Sequence, residues 1–87
     1  ETYYQVNAEA AEEVARQLRL RNLSGIIIVD FINMAEKENR QKLLEYLKTL
    51  TAQDPQHPRI VDMTPLGLVE ITRKKSHPTL AEQWKKI

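Results

Sequence analysis

The chain has 87 residues, 41% of them hydrophobic and 29% charged, which fits one soluble domain and excludes the composition of a disordered chain. Lys and Arg number 13 against 12 Asp and Glu, so the net charge of +1 does not by itself announce a polyanionic partner. Without any cysteine, neither a disulfide framework nor a thiolate metal site can form.

Asn7 reads as an N-cap, with Glu9, Glu12 and Glu13 in the first turns and Arg19 and Arg21 at the far end, which predicts a helix from about Ala8 to Arg21. Ala11, Val14, Ala15 and Leu18 recur at intervals of three and four and form its buried stripe. Asn22 to Gly25 stops it. The run Ile26-Ile27-Ile28-Val29, with Phe31, shows no polar alternation and predicts a strand covered on both faces. A second amphipathic helix is predicted over residues 36–51, with Leu43, Leu44, Leu47 and Leu50 on one face and Asn33 as its cap.

Asp54-Pro55-Gln56-His57-Pro58 is a loop, because two prolines within four residues exclude regular structure. Ile60 to Met63 follows as a short strand. Strand, helix, strand in this order predicts a βαβ unit whose two strands are parallel neighbours, giving a small α/β domain with flanking amphipathic helices over residues 1–87. Thr64 to Arg73 carries mixed signals. Thr64 followed by Pro65 favours a helix start, whereas Gly67, Val69, Ile71 and Thr72 favour a strand; the expectation here is helix. Beyond Lys74 the chain turns polar and basic, with a short helical turn expected over residues 80–84.

Ligands of open α/β sheets bind beyond the carboxyl ends of the strands, and Asp30 stands at such an end. It reads either as a metal ligand or catalytic acid, or as a capping or sheet-edge residue. Mg²⁺ usually takes one or two carboxylates with waters and phosphates, so a site on Asp30 calls for a second group; Asn33 is one oxygen donor and Asp62 the other strand-end carboxylate, the latter read mainly as solvated. His57 and His77 have no partner at a triad or zinc spacing and read as surface residues. Trp84 reads as a packing anchor rather than a base-stacking platform. The clusters Arg16/Arg19/Arg21, Arg73/Lys74/Lys75 and Lys85/Lys86 read equally as phosphate contacts or as solvated faces.

Two segments carry a family resemblance. The run from Asn7 to Ile32, which includes Ala15-Arg16-Gln17-Leu18-Arg19-Leu20-Arg21 and Ile26-Ile27-Ile28-Val29-Asp30-Phe31-Ile32, resembles the ribonuclease E/G signature. So does Leu66-Gly67-Leu68-Val69-Glu70-Ile71-Thr72-Arg73-Lys74. The resemblance implies a cytoplasmic, Mg²⁺-dependent endoribonuclease for RNA processing and decay. It implies a substrate of single-stranded RNA with a preference for a 5′-monophosphate, and a parent protein that is a homo-oligomer.

On this resemblance Asp30 is a catalytic metal ligand, and Arg59 and Arg73 contact the RNA backbone. Further ligands, an Asp and an Asn, are expected on a strand preceding this chain. The 87 residues then correspond to a fragment of the DNase I-like part of the catalytic domain, inactive alone, with Glu1 an internal residue of the longer protein. Two departures stand out: Asn33 lies where the family commonly has Asp, and the zinc-sharing Cys pair of the ribonuclease E branch is missing, which implies a ribonuclease G-like member or a chain that stops before that motif. The competing readings are a non-catalytic RNA-binding or oligomerisation module, or an unrelated small α/β interaction domain.

Overall fold

A computed structural model describes residues 2–74, so the expectations for His77, for the helical turn at residues 80–84, for Trp84 and for Lys85 and Lys86 lie outside the described residues. Helix α1 spans Thr2–Leu20, strand β1 Gly25–Asp30, helix α2 Lys37–Thr51, strand β2 Arg59–Met63 and strand β3 Leu68–Arg73. None of the described helices is long and apolar enough to cross a membrane.

Helix α1 starts well before Asn7, which is therefore an interior residue and not a cap. Tertiary packing accounts for the extra turn: Tyr4 packs against the core and its ring lies 4.9 Å below the Lys42 ammonium of α2. The helix ends where the sequence indicated. Leu23 N–H donates to Leu18 O at 3.1 Å and Asn22 N–H to Arg19 O at 3.2 Å, a Schellman closure with Asn22 in the left-handed region at φ 49°. Helix α2 is capped by Glu36 and not by Asn33; Glu36 makes no side-chain capping bond.

The sheet has the order β1-β3-β2, and every hydrogen-bonded pair is antiparallel. The expected parallel neighbours are thus corrected. β1 and β2 do run in the same direction, as the crossover through α2 requires, but β3 returns between them and pairs with both. Residues 64–74 form a hairpin arm, not a helix. Thr64-Pro65-Leu66-Gly67 closes a turn with Gly67 N–H on Thr64 O at 2.9 Å, and Thr64 Oγ1 accepts Leu68 N–H at 3.1 Å. A Thr-Pro pair suits the first residues of a turn as well as those of a helix, and Gly67 at φ +91° decides for the turn. Between Ile60 and Met63 the register slips, so Val61 and Asp62 together oppose Glu70 as a β-bulge.

Both helices cover one face of the sheet. Leu18, Leu43, Leu44 and Leu47 meet Val69 and Ile71, with Ile27, Val29 and Ile60 at the margin. The opposite face carries Ile26, Ile28 and Asp30 of β1, Leu68, Glu70 and Thr72 of β3 and Arg59 of β2. The expectation of two covered faces for β1 is therefore corrected: Ile26 is 68% and Ile28 56% exposed, because no described element lies over them.

Candidate metal-binding edge and RNA interface

Asp30 is the last residue of β1, opposite Leu68, and is exposed on the open face. Among the described residues its carboxylate has no hydrogen bond or ion pair. A bare carboxylate at a strand's end can accept a metal ion or a hydrogen-bond donor without giving up an existing partner. Asp62, on the bulge of β2, is exposed, as is Asn33 in the segment after β1. Among the described residues no three His, Cys, Asp or Glu side chains stand close enough to hold a metal ion. Mg²⁺ usually takes one or two carboxylates and completes its shell with waters and phosphates, so an exposed carboxylate such as Asp30 has the chemistry of one such ligand.

Glu70 went unnoticed in the sequence because its segment read as a helix. In the hairpin it faces Ile28, one diagonal step from Asp30 on the same face, which in antiparallel sheets means about 7–8 Å. Only the strand register reveals this neighbour.

The segment after Asp30 is held from three sides. Phe31 N–H donates to Gly67 O at 3.0 Å. The Asn7 amide clasps Ile32, with Nδ2 donating to Ile32 O at 2.8 Å and Oδ1 accepting Ile32 N–H at 2.9 Å. Arg40 Nη1 donates to Met34 O at 2.7 Å and Ala35 O at 2.9 Å.

The two arginines expected at RNA part company. Arg59 is exposed on the open face, in register with Thr72 and, beyond it, Ile26. Four residues along β1 and two strands across, it lies about 16 Å from Asp30 by sheet geometry. Arg73, the other arginine expected at RNA, is buried and engaged by protein groups. Its Nε donates to Asp54 Oδ2 at 2.8 Å, Nη2 to Asp54 Oδ1 at 3.1 Å, and Nη1 to Asn22 Oδ1 and Leu23 O at 2.9 and 3.0 Å. The guanidinium ties the end of α1 and the loop after α2 to β3, which leaves it bound to protein rather than offered to phosphate. Burial pushes the Asp54 carboxyl up, but the hydrogen bonds from Arg73 and from Gln56 N–H, with the charges of Arg73 and Arg19, outweigh it and hold the group below its usual range.

Residues 1–76 match the ribonuclease E/G family. The chain belongs to that family. It is 45% identical over 82 residues to ribonuclease E of Nostoc sp., a stretch covering 94% of this chain and 12% of that protein. It is 44% identical over 80 residues to ribonuclease G of Salmonella typhimurium, covering 92% of this chain and 16% of the relative. A ribonuclease E/G-like protein of Pyropia yezoensis is 42% identical over 82 residues, covering 94% of this chain and 16% of its own length. The chain therefore spans a small part of each of these relatives. In this member of the ribonuclease E/G family the two motif segments are neighbours in space: the strand ending at Asp30 pairs along its whole length with the arm Leu68–Arg73.

Proposed function

We propose that this chain is part of the catalytic domain of an endoribonuclease and supplies Asp30 as one ligand of its Mg²⁺. The observation that carries the reading is the unpartnered Asp30 carboxylate at the end of β1, on the open sheet face, in a chain of the ribonuclease E/G family. A bound Mg²⁺ would polarise a phosphodiester and lower the pKa of a coordinated water, provided its coordination is fixed. Asp30 contributes a single oxygen donor group, so the remaining ligands come from other parts of the longer polypeptide. The 87 residues alone are inactive on this reading. The substrate is single-stranded RNA, with a 5′-monophosphate preferred, and the parent is a cytoplasmic homo-oligomer acting in RNA processing and decay.

The deciding experiment is cleavage of 5′-monophosphorylated single-stranded RNA by the full-length polypeptide, with Asp30 intact and as Asp30→Asn. The substitution is expected to lower the rate by at least the roughly 10- to 100-fold that loss of an outer partner costs a metal site. Equal cleavage by both forms would make Asp30 structural and end the proposal. Arg59 takes the role of a phosphate contact: Arg59→Ala weakens RNA binding across sequences and lowers the salt slope of binding by about 1. An unchanged slope removes Arg59 from the interface.

A second reading, an RNA-binding or oligomerisation module without catalysis, is favoured by the exposed Ile26 and Ile28 and by the outer edge of β1, which pairs with no described strand. Sedimentation of the 87-residue chain separates the two: a concentration-dependent dimer supports assembly, a monomer removes that support.

A further inference from the structure

We propose that Asn7 is a positioning residue for Asp30, an inference that rests on the reading of Asp30 as a metal ligand. Asn7 lies inside α1, where asparagine is unfavourable because its side chain competes with the backbone for hydrogen bonds. It is nevertheless 1% exposed, and both ends of its amide are committed to the backbone of one residue 25 positions away, accepting Ile32 N–H and donating to Ile32 O. The pairing reproduces what a neighbouring strand would give Ile32, at the point where β1 has ended and the ladder no longer fixes the chain. An apolar residue in α1 would leave two part-buried backbone groups of Ile32 without these partners.

The consequence falls on Asp30, two residues upstream. With no side-chain partner of its own, its carboxylate takes its direction from the backbone, and that backbone is held by β3 on one side and by the clasped Ile32 on the other. Gly67 supports the same segment from below: a Cβ there would stand 2.7 Å from Phe31 O, so the hairpin turn sits flush against the residue after Asp30. Asn7 thus couples α1, which packs on the covered face, to the geometry of the ligand on the open face. Outer partners of metal ligands act in this way, fixing orientation without touching the ion.

The test is Mn²⁺ binding to the full-length polypeptide, read by electron paramagnetic resonance without RNA, together with thermal melting. Four variants are compared: Asn7→Ala, Asn7→Asp, Asp30→Asn and, as a control for lost stability, Leu47→Ala in the core. Asp30→Asn removes the bound Mn²⁺. Asn7→Ala weakens binding by about tenfold. Asn7→Asp keeps an acceptor for Ile32 N–H but sets a carboxylate oxygen against Ile32 O, so it weakens binding at least as much, in the same direction. Leu47→Ala melts earlier and binds Mn²⁺ as the wild type does. If Asn7→Ala does not fold, Asn7→Asp decides alone. Wild-type Mn²⁺ affinity in the folded Asn7 variants, with only a lower melting temperature, overturns the positioning role. Wild-type affinity in Asp30→Asn overturns the metal reading itself, so the two failures are distinct.

Discussion

The two faces of the sheet treat charge in opposite ways. On the helix-covered face the strands bring Val69 and Ile71 into the core and end on Arg73, whose guanidinium meets Asp54, Asn22 and Leu23. On the open face Asp30 and Arg59 have no ion-pair partner among the described residues. Arg73 and Arg59 are alike as letters in the sequence. Their difference teaches that a basic residue near a nucleic-acid motif becomes a candidate contact only once its donors are shown to be free.

The sharpest way to break this comparison is to remove one partner of the buried pair. Arg73→Met should destabilise the 87-residue chain by about 3–5 kcal/mol in denaturant unfolding, because Asp54 is left charged and buried. Adding Asp54→Leu to it should recover much of the loss, since an apolar pair replaces an ionic one at small net cost. A loss below about 1 kcal/mol for the single variant would place Arg73 with the surface arginines, at the median of exposed pairs. The pair also has a pH signature. The Asp54 carboxyl is held below its unfolded value of about 3.9, so its stabilisation is fully present above that pH and is lost as pH falls through the lower folded value. Acid unfolding of the wild type should therefore steepen below about pH 4, and Asp54→Asn should flatten that limb.

A smaller effect tests how firmly the end of β1 is held. Gly67 has φ +91°, and an added Cβ would meet Phe31 O at 2.7 Å. Gly67→Ala should cost about 1–3 kcal/mol, from a backbone conformation L residues avoid and from the displaced contact. A neutral result would mean that the hairpin turn can move away from residues 31–33 without penalty.

What was legible in the sequence was local. The leucine stripe of α2, the Asn22 closure of α1 and the strand that ends on Asp30 all follow from neighbours within one or two turns of chain. What was missed depended on distant partners. Asn7 has the chemistry of a cap, and nothing nearby reveals that its amide is taken by Ile32. Arg73 and Asp54 are 19 residues apart with no pattern linking them. Thr64-Pro65 begins a turn or a helix with equal ease, and misreading it hid both the insertion of β3 between β1 and β2 and the place of Glu70 beside Asp30. The unbroken apolar run at Ile26 to Val29 indicated two covered faces, yet among the described residues only the Ile27 and Val29 side is covered.

That last mismatch gives the gentlest test of the contrast between the faces. Ile28 is 56% exposed, and Ile28→Thr keeps a β-branched side chain in the strand while making the open face more polar. The substitution should change the stability of the 87-residue chain by no more than about 0.5 kcal/mol, as surface substitutions do. A cost well above about 1 kcal/mol would show that the face is covered in solution, since burial of a side chain of this size is worth about 1.5–3 kcal/mol. Repeating the melt over a range of protein concentrations then identifies the cover: a midpoint that rises with concentration points to a second copy, because association with the folded state alone stabilises it by mass action. With a small cost and a concentration-independent midpoint, the apolar side chains beside Asp30 stay open in this chain, and the contrast between the two faces holds in solution.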